Sequence, residues 1–141
     1  MHSSSLCSAL CCLSLTLLTS LGCGPRGDRE IVEVEGTVTL DGQPLPNATV
    51  LFISGTSRPS GAMTDAEGHY ELNYTDRQKG ARIGHNRVQI TTAQGPSETA
   101  EGEPLAAVPE SLPDKYHARS ELEFEVSADH ANVADFALTS R

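Results

Sequence analysis

The chain has 141 residues, with 19 acidic and 10 basic side chains and a formal net charge of -9. This length suits one domain of ordinary size, and the acidic balance excludes a nucleic-acid surface built on clustered Lys and Arg. All four cysteines lie within the first 23 residues, so the rest of the chain has none for a disulfide or a thiolate metal site.

The first element in chain order is a targeting segment. Residues 6–21 form an uncharged run rich in Leu and small side chains. This run is shorter than the roughly 20 apolar residues that a membrane-spanning helix needs. An apolar stretch that ends in small residues is typical of a secretory signal peptide, although the preceding MHSSS lacks Lys and Arg. Residues 1–22 are therefore predicted to be a signal peptide.

The sequence that follows, Leu21-Gly-Cys23-Gly24, resembles the lipobox of bacterial lipoproteins, although Ser20 stands where an aliphatic residue is usual. The resemblance implies that Cys23 is the lipid-attachment residue and carries palmitate-like acyl chains. It also implies a protein anchored to a bacterial membrane and facing the periplasm or the exterior, with Gly24 favouring the outer membrane. The alternative is an ordinary thiol after a conventional cleavage site. Residues 23–30 would be a short tether.

After the tether, apolar and polar side chains alternate as in half-buried β-strands. Residues 31–40 form the first such strand, and Gly36 interrupts its inner row, so a bulge or a close backbone approach is expected there. Residues 41–47 contain Asp-Gly and two prolines and are predicted to be a turn. The continuous apolar run at 48–54 predicts a central strand covered on both faces.

Residues 55–61 are predicted to be a loop, and residues 62–64 and 69–74 to be two strands of a hairpin. In its turn we expect Gly68 to take a positive φ and Asp65 to accept amide hydrogen bonds. We expect the Tyr70 ring to pack inward with its hydroxyl near the rim.

The second half of the chain continues in the same pattern. Strands are predicted at 82–92, 121–126 and 133–139, with a long solvated loop at 93–107 and irregular chain at 108–120. Seven short strands without helical periodicity indicate an all-β, antiparallel sandwich over residues 31–139.

Three stretches then identify a family resemblance. These are EGTVTLDGQPLPNATVLF at 35–52, TDAEGHYEL at 64–72 and GHNRVQI at 84–90, and together they resemble the carboxypeptidase regulatory-like domain. The ending, 108–138, is similar to that of small bacterial lipoproteins that carry this domain. The resemblance implies a seven-stranded, Greek-key sandwich of the transthyretin-like (prealbumin-like) kind. In metallocarboxypeptidases that domain is an accessory module without catalytic residues.

Chemistry-bearing patterns are sparse. The sequence has no His-x-x-Glu pair for zinc and no Gly-x-Ser-x-Gly elbow, so no catalytic, cofactor-binding or metal-binding residue is assigned. His69 and His85 would share a metal only if their strands paired. The segment 65–68 is interpreted as a hairpin turn, with a weak calcium contact at Asp65 as the alternative.

Two polar segments each allow two interpretations. The segment from Asp114 to Arg119 either binds a ligand or is a place where Tyr116 plugs the end of the core, and the second interpretation is favoured. The acidic row at 121, 123 and 125 is interpreted as protection of an edge strand, with a basic partner as the alternative.

These observations predict a non-catalytic, lipid-anchored cell-envelope protein that serves as a structural or protein-interaction module. Its partners would be the membrane, through lipid on Cys23, and an envelope protein or peptidoglycan, with no nucleic acid and no cofactor. The alternative is an extracytoplasmic module that binds a carbohydrate, peptide or small molecule through loops 55–61, 76–81 and 93–120. A transthyretin-like hydrolase is a third interpretation. Such enzymes resemble this domain but rely on clustered His and Arg and on a tyrosine-rich C-terminal motif, which the ending Ala-Leu-Thr-Ser-Arg lacks.

Overall fold

The computed structural model describes residues 30–141, so the predicted signal peptide and Cys23 lie outside the described residues. The described part contains short strands and one turn of 3-10 helix at Asp114–Tyr116. The strands are β1 (Ile31–Val32), β2 (Val34–Leu40), β3 (Gln43–Pro44), β4 (Thr49–Ile53), β5 (Ser60–Met63), β6 (His69–Glu71), β7 (Asn73–Thr75), β8 (Gln78–Lys79), β9 (Ala81–Arg82), β10 (Gly84–Thr91), β11 (Ser97–Glu98), β12 (Pro104–Leu105), β13 (Leu122–Val126), β14 (Asn132–Val133) and β15 (Phe136–Leu138).

The larger sheet has six strands in the order β13-β10-β4-β5-β7-β8, and every neighbouring pair is antiparallel. Strand β4 lies inside this sheet, as the apolar run predicts, but only one of its faces is fully covered. Val50 and Phe52 point into the core, whereas Leu51 and Ile53 are half-buried on the other face. Strand β13 is an edge strand, and its glutamates are exposed as the alternation predicts.

The smaller sheet is built around β2. Strands β3 and β6 pair with one edge of β2 in the antiparallel sense, and β14 and β15 pair with its other edge in the parallel sense. The prediction of an all-β sandwich is confirmed, with this parallel pairing as a departure from a wholly antiparallel arrangement. Alternating side chains report burial but not the direction of the neighbouring strand, so the sequence pattern left this direction undetermined.

The core lies between the two sheets. Its largest fully buried side chains include Tyr70, Phe52 and Leu72. The ring of Phe52 meets Phe124 and Phe136 edge-on, with centroids 5.8 Å and 6.3 Å apart. Such edge-to-face contacts stabilise a core beyond the area that they bury. Three phenylalanines therefore join both sheets near the centre of the sandwich.

At Gly36 the backbone that connects β14 and β15 approaches β2 closely. A Cβ at this position would lie 1.9 Å from the Ala134 carbonyl oxygen. Tyr70 faces Gly36 across the β2–β6 pair, and its hydroxyl donates to that same carbonyl at 2.6 Å. The predicted close approach at Gly36 is confirmed. The prediction for the Tyr70 hydroxyl was wrong, because the group is buried and not at the rim, with the whole residue only 2% exposed.

The predicted hairpin around residues 65–68 is also different in detail. The turn itself is confirmed, since Gly68 has a φ of 76° and Asp65 accepts amide hydrogen bonds. However, the predicted strand at 69–74 is interrupted at Leu72: β6 belongs to the smaller sheet and β7 to the larger one. Leu72 is fully buried at this crossing. The segment therefore joins the two sheets.

Strand registers divide the sandwich into two ends. Residue 30 enters beside the start of β10, where the Ile83 amide donates to the Glu30 carbonyl at 3.0 Å. We call this the entry end; it also carries loops 54–59 and 127–131. The opposite end, which we call the loop end, carries loops 41–48, 64–68 and 92–120 and the C-terminus.

Replacing Gly36 by Ala should lower the free energy of unfolding by about 3 kcal/mol, because two backbone segments must separate to accept the methyl group. Gly95→Ala is the matched control, since a Cβ there meets nothing within 4 Å. Urea denaturation of both variants measures the difference. Equal stability of the two variants would contradict the close approach.

Candidate functional site

One carboxylate at the loop end, that of Glu110, accepts several hydrogen bonds from residues 91–92 and 111–112. It accepts hydrogen bonds from the Thr92 amide at 3.1 Å and from the Ser111 and Leu112 amides at 2.9 Å. The hydroxyls of Thr91 and Thr92 also donate to it, the latter at 2.6 Å. Burial acts to raise the pKa of Glu110, but these donors favour the charged form more strongly, so its pKa lies well below the ordinary value.

The Glu110 clamp, defined as these contacts of Glu110 with residues 91–92 and 111–112, fixes the base of a projecting hairpin. Just above the clamp, the backbones of Gln94 and Val108 exchange two hydrogen bonds of 3.0 Å and 2.9 Å. Sequence reasoning missed this arrangement. Glu110 stands alone between Pro109 and Ser111, and two of its partners, Thr91 and Thr92, lie 18 or more residues earlier in the chain.

The region predicted as a solvated loop at 93–107 contains an ordered hairpin. We call residues 94–108 the 94–108 hairpin; β11 and β12 pair within it. At its tip the Thr99 amide donates to the Glu103 carbonyl at 2.8 Å, and the Gly102 amide donates to the Thr99 carbonyl at 2.9 Å. Leu105 and Val108 are 48% and 47% exposed. The prediction of solvent exposure is confirmed, whereas the prediction of a loop without strands was wrong.

The segment from Asp114 to Arg119 closes the loop end of the core. Tyr116 is 8% exposed, and its hydroxyl accepts a hydrogen bond from the Thr139 amide at 3.0 Å. The Lys115 ammonium lies 5.0 Å from the centre of the Tyr116 ring and donates to the Arg141 carbonyl at 2.8 Å. The interpretation of Tyr116 as a plug is confirmed.

The remaining charges of that segment pair locally. Asp114 accepts from the Arg119 guanidinium at 2.9 Å, and its other oxygen lies 3.7 Å from His117 Nε2. Exposed pairs of this kind contribute little to stability. Burial acts to raise the pKa of Tyr116, but the hydrogen bonds with Thr139 and Lys115 outweigh burial and lower it.

Asp65 also serves its own turn. One carboxylate oxygen accepts from the Glu67 and His69 amides at 3.0 Å and 2.9 Å, and the other lies 4.0 Å from His69 Nδ1. His69 and His85 lie on strands of different sheets and do not pair. Within residues 30–141, no group of three or more His, Cys, Asp and Glu side chains is arranged to hold a metal ion.

A cavity of about 210 Å³ opens beside β2. It is lined by Glu33, Val34, Glu35, Glu71, Leu72 and Lys79. The Lys79 ammonium contacts the Glu71 carboxylate, and this contact lowers the pKa of Glu71 and raises that of Lys79. The cavity is smaller than the 300 Å³ or so that drug-sized ligands occupy, and its one ammonium group already has a partner.

The three loops named for the alternative of a ligand-binding module do not lie at one end of the sandwich. Loop 55–61 runs into β5, which begins at Ser60, and loop 76–81 contains β8 and the start of β9. The register places loop 54–59 and the turn at 76–77 at the entry end, whereas loop 93–120 lies at the loop end. No single end of the sandwich therefore carries all three loops, and the alternative of a ligand-binding module stays a prediction.

Comparison with known proteins gives little further guidance. No family model matches the chain, and no curated protein does either. Among solved structures, a 9R-lipoxygenase from Cyanothece PCC8801 is similar at 13% identity over 77% of this chain and 16% of that chain, with a TM-score of 0.41. A likeness this distant carries no argument about function. The resemblance to the carboxypeptidase regulatory-like domain stays a prediction. In the described part of the chain, no helix has the length and hydropathy to cross a bilayer.

Replacing Glu110 by Gln should lower the free energy of unfolding at neutral pH by about 2 kcal/mol, because the hydrogen bonds to a charged acceptor are lost. Since the folded-state pKa is lowered, the clamp stabilises the fold above the unfolded-state pKa near 4.5, and this contribution is lost as the pH falls below it. The variant should therefore lose less stability than the wild type on acidification.

Thermal unfolding between pH 7 and pH 3 measures both effects. Glu98→Gln on the 94–108 hairpin is the control, because it removes the same charge at an exposed position. Equal stability and equal pH dependence of Glu110→Gln and the wild type would contradict the clamp.

Proposed function

We propose that this chain is a non-catalytic, lipid-anchored protein of a bacterial cell envelope, in which a single β-sandwich presents its loop end to other envelope components. The observation that carries the proposal is that the two ends of the sandwich differ. The chain enters at one end, directly after the tether from Cys23, and its longest loops lie at the other end.

Dimensions support this orientation. Between Cys23 and Ile31 the chain spans at most about 28 Å when fully extended, so an acyl chain on Cys23 would hold the entry end close to its membrane. Strand β10 has eight residues, Gly84–Thr91, and at about 3.3 Å per residue it extends roughly 26 Å from the entry end toward the loop end. The loop end would face the periplasm or the exterior.

The use of the polar groups supports a non-catalytic role. The carboxylates of Glu110 and Asp65 accept hydrogen bonds from the backbone of their own loops, and the Tyr116 hydroxyl binds the backbone at Thr139. Catalytic groups, in contrast, converge on a cleft with room for a reacting substrate. Groups that hold loops in place, as these three do, are consistent with a binding or structural role.

Binding of a small polar ligand is the second candidate, and the cavity beside β2 is the feature that favours it. Three carboxylates and Lys79 line this cavity. Its small volume and its internal ion pair make it a weaker basis than the loop end.

Replacing Cys23 by Ser should release the protein into the soluble fraction or leave it as an uncleaved precursor in the inner membrane, because the two or three acyl chains that provide the stable attachment are lost. Cys12→Ser is the matched control, since residue 12 lies within the apolar run of the predicted signal peptide. Fractionation of cells that express each variant, followed by mass analysis of the mature N-terminus, provides the measurement. Unchanged partitioning of a Cys23→Ser chain that has lost residues 1–22 would overturn the anchor.

A further inference from the structure

The 94–108 hairpin displays apolar side chains that the fold does not use. Residues 104–109 read Pro-Leu-Ala-Ala-Val-Pro, and residues 104–108 of this run, including Leu105 and Val108, are all exposed. They lie outside the core cluster. Burial of such side chains on another surface would be favourable by about 25 cal/mol per Å² of apolar area.

The hairpin is also held in one conformation without burying its own side chains. The Glu110 clamp and the Gln94–Val108 backbone pair fix its base, and the Gln94 side-chain amide donates to the Asn47 carbonyl at 3.1 Å. The tip is closed by the hydrogen bonds at Thr99. Binding through a preformed hairpin loses less conformational entropy than binding through a loose loop.

The charge of this region selects the kind of partner. Residues 93–110 contain four glutamates and no Lys or Arg, and Glu98, Glu101 and Glu103 are exposed beside the apolar run. A second copy of the chain carries a net charge of -9 and would be repelled, as would an anionic lipid surface. An apolar recess edged by Lys and Arg matches both the apolar run and the glutamates.

We propose that the 94–108 hairpin is a docking element that inserts Leu105 and Val108 into an apolar recess, edged by Lys and Arg, on a second protein of the envelope. This inference rests on the proposed function for the direction in which the hairpin faces. The chemistry of the contact does not depend on the anchor.

The experiment places a photoreactive amino acid at position 105 of the full chain, expressed in the bacterium that makes it. A separate variant of the same protein carries the probe at position 128 instead, which is an exposed residue of the entry end. Light should join the 105 probe to one protein, with the attachment point among apolar residues next to Lys or Arg. The 128 probe should not capture that protein.

Charge reversal then tests the chemistry. The triple variant Glu98→Lys, Glu101→Lys, Glu103→Lys should lower the yield from the 105 probe by at least about tenfold, because like charges then meet at the rim. The control Glu121→Lys, Glu123→Lys, Glu125→Lys makes the same change in net charge on β13 and the residue before it, and should keep the yield within about twofold of the wild type. Unchanged melting temperatures would show that both variants fold.

Several results would overturn the inference: no protein captured at position 105, capture of lipid or of a second copy, equal capture at position 128, or no effect of the charge reversal on the hairpin.

The Cys23→Ser chain, carrying the 105 probe in the same experiment, separates the docking proposal from the anchor proposal. Loss of membrane partitioning together with a charge-insensitive crosslink supports the anchor and overturns the docking element. Unchanged partitioning together with a charge-sensitive crosslink overturns the anchor and supports the docking element.

Discussion

The smaller sheet depends on a bond that passes over a residue without a side chain. The Tyr70 hydroxyl donates across Gly36 to the Ala134 carbonyl, and so joins strands on the two opposite edges of β2. Burial, together with the nearby Asp135 carboxylate, raises the pKa of Tyr70, so the hydroxyl keeps the proton that it donates. This bond holds the segment between β14 and β15 against β2, and the backbone pairing of β15 with β2 then continues toward the loop end.

The strand registers divide the sandwich into two ends. Strands β2 and β15 both run toward the loop end, where Tyr116 covers the core and binds Thr139. The entry end, in contrast, receives the chain at Glu30 and carries shorter connections. The polar groups at the loop end hold loops in place, and the exposed hairpin is left free to make contacts.

Much of this fold could be predicted from the sequence, because side chains that alternate between water and core report their own burial. The close approach at Gly36, the turn at Asp65 and the plug at Tyr116 were each predicted on such local grounds. The crossing between sheets at Leu72 and the Glu110 clamp were not predicted. Both depend on which distant segments meet, and neither periodicity nor composition carries that information.

The Glu110 clamp has a consequence for how the surface of this protein can change. Because the hairpin is fastened at its base, the residues between Gln94 and Val108 contribute little to the core, and lengthening such a loop costs only a fraction of a kilocalorie per added residue. The 94–108 hairpin can therefore be replaced without changing the sandwich that carries it. Its sequence is free to diverge with whatever it contacts, or to be exchanged by design for another displayed peptide, while the sandwich beneath stays the same.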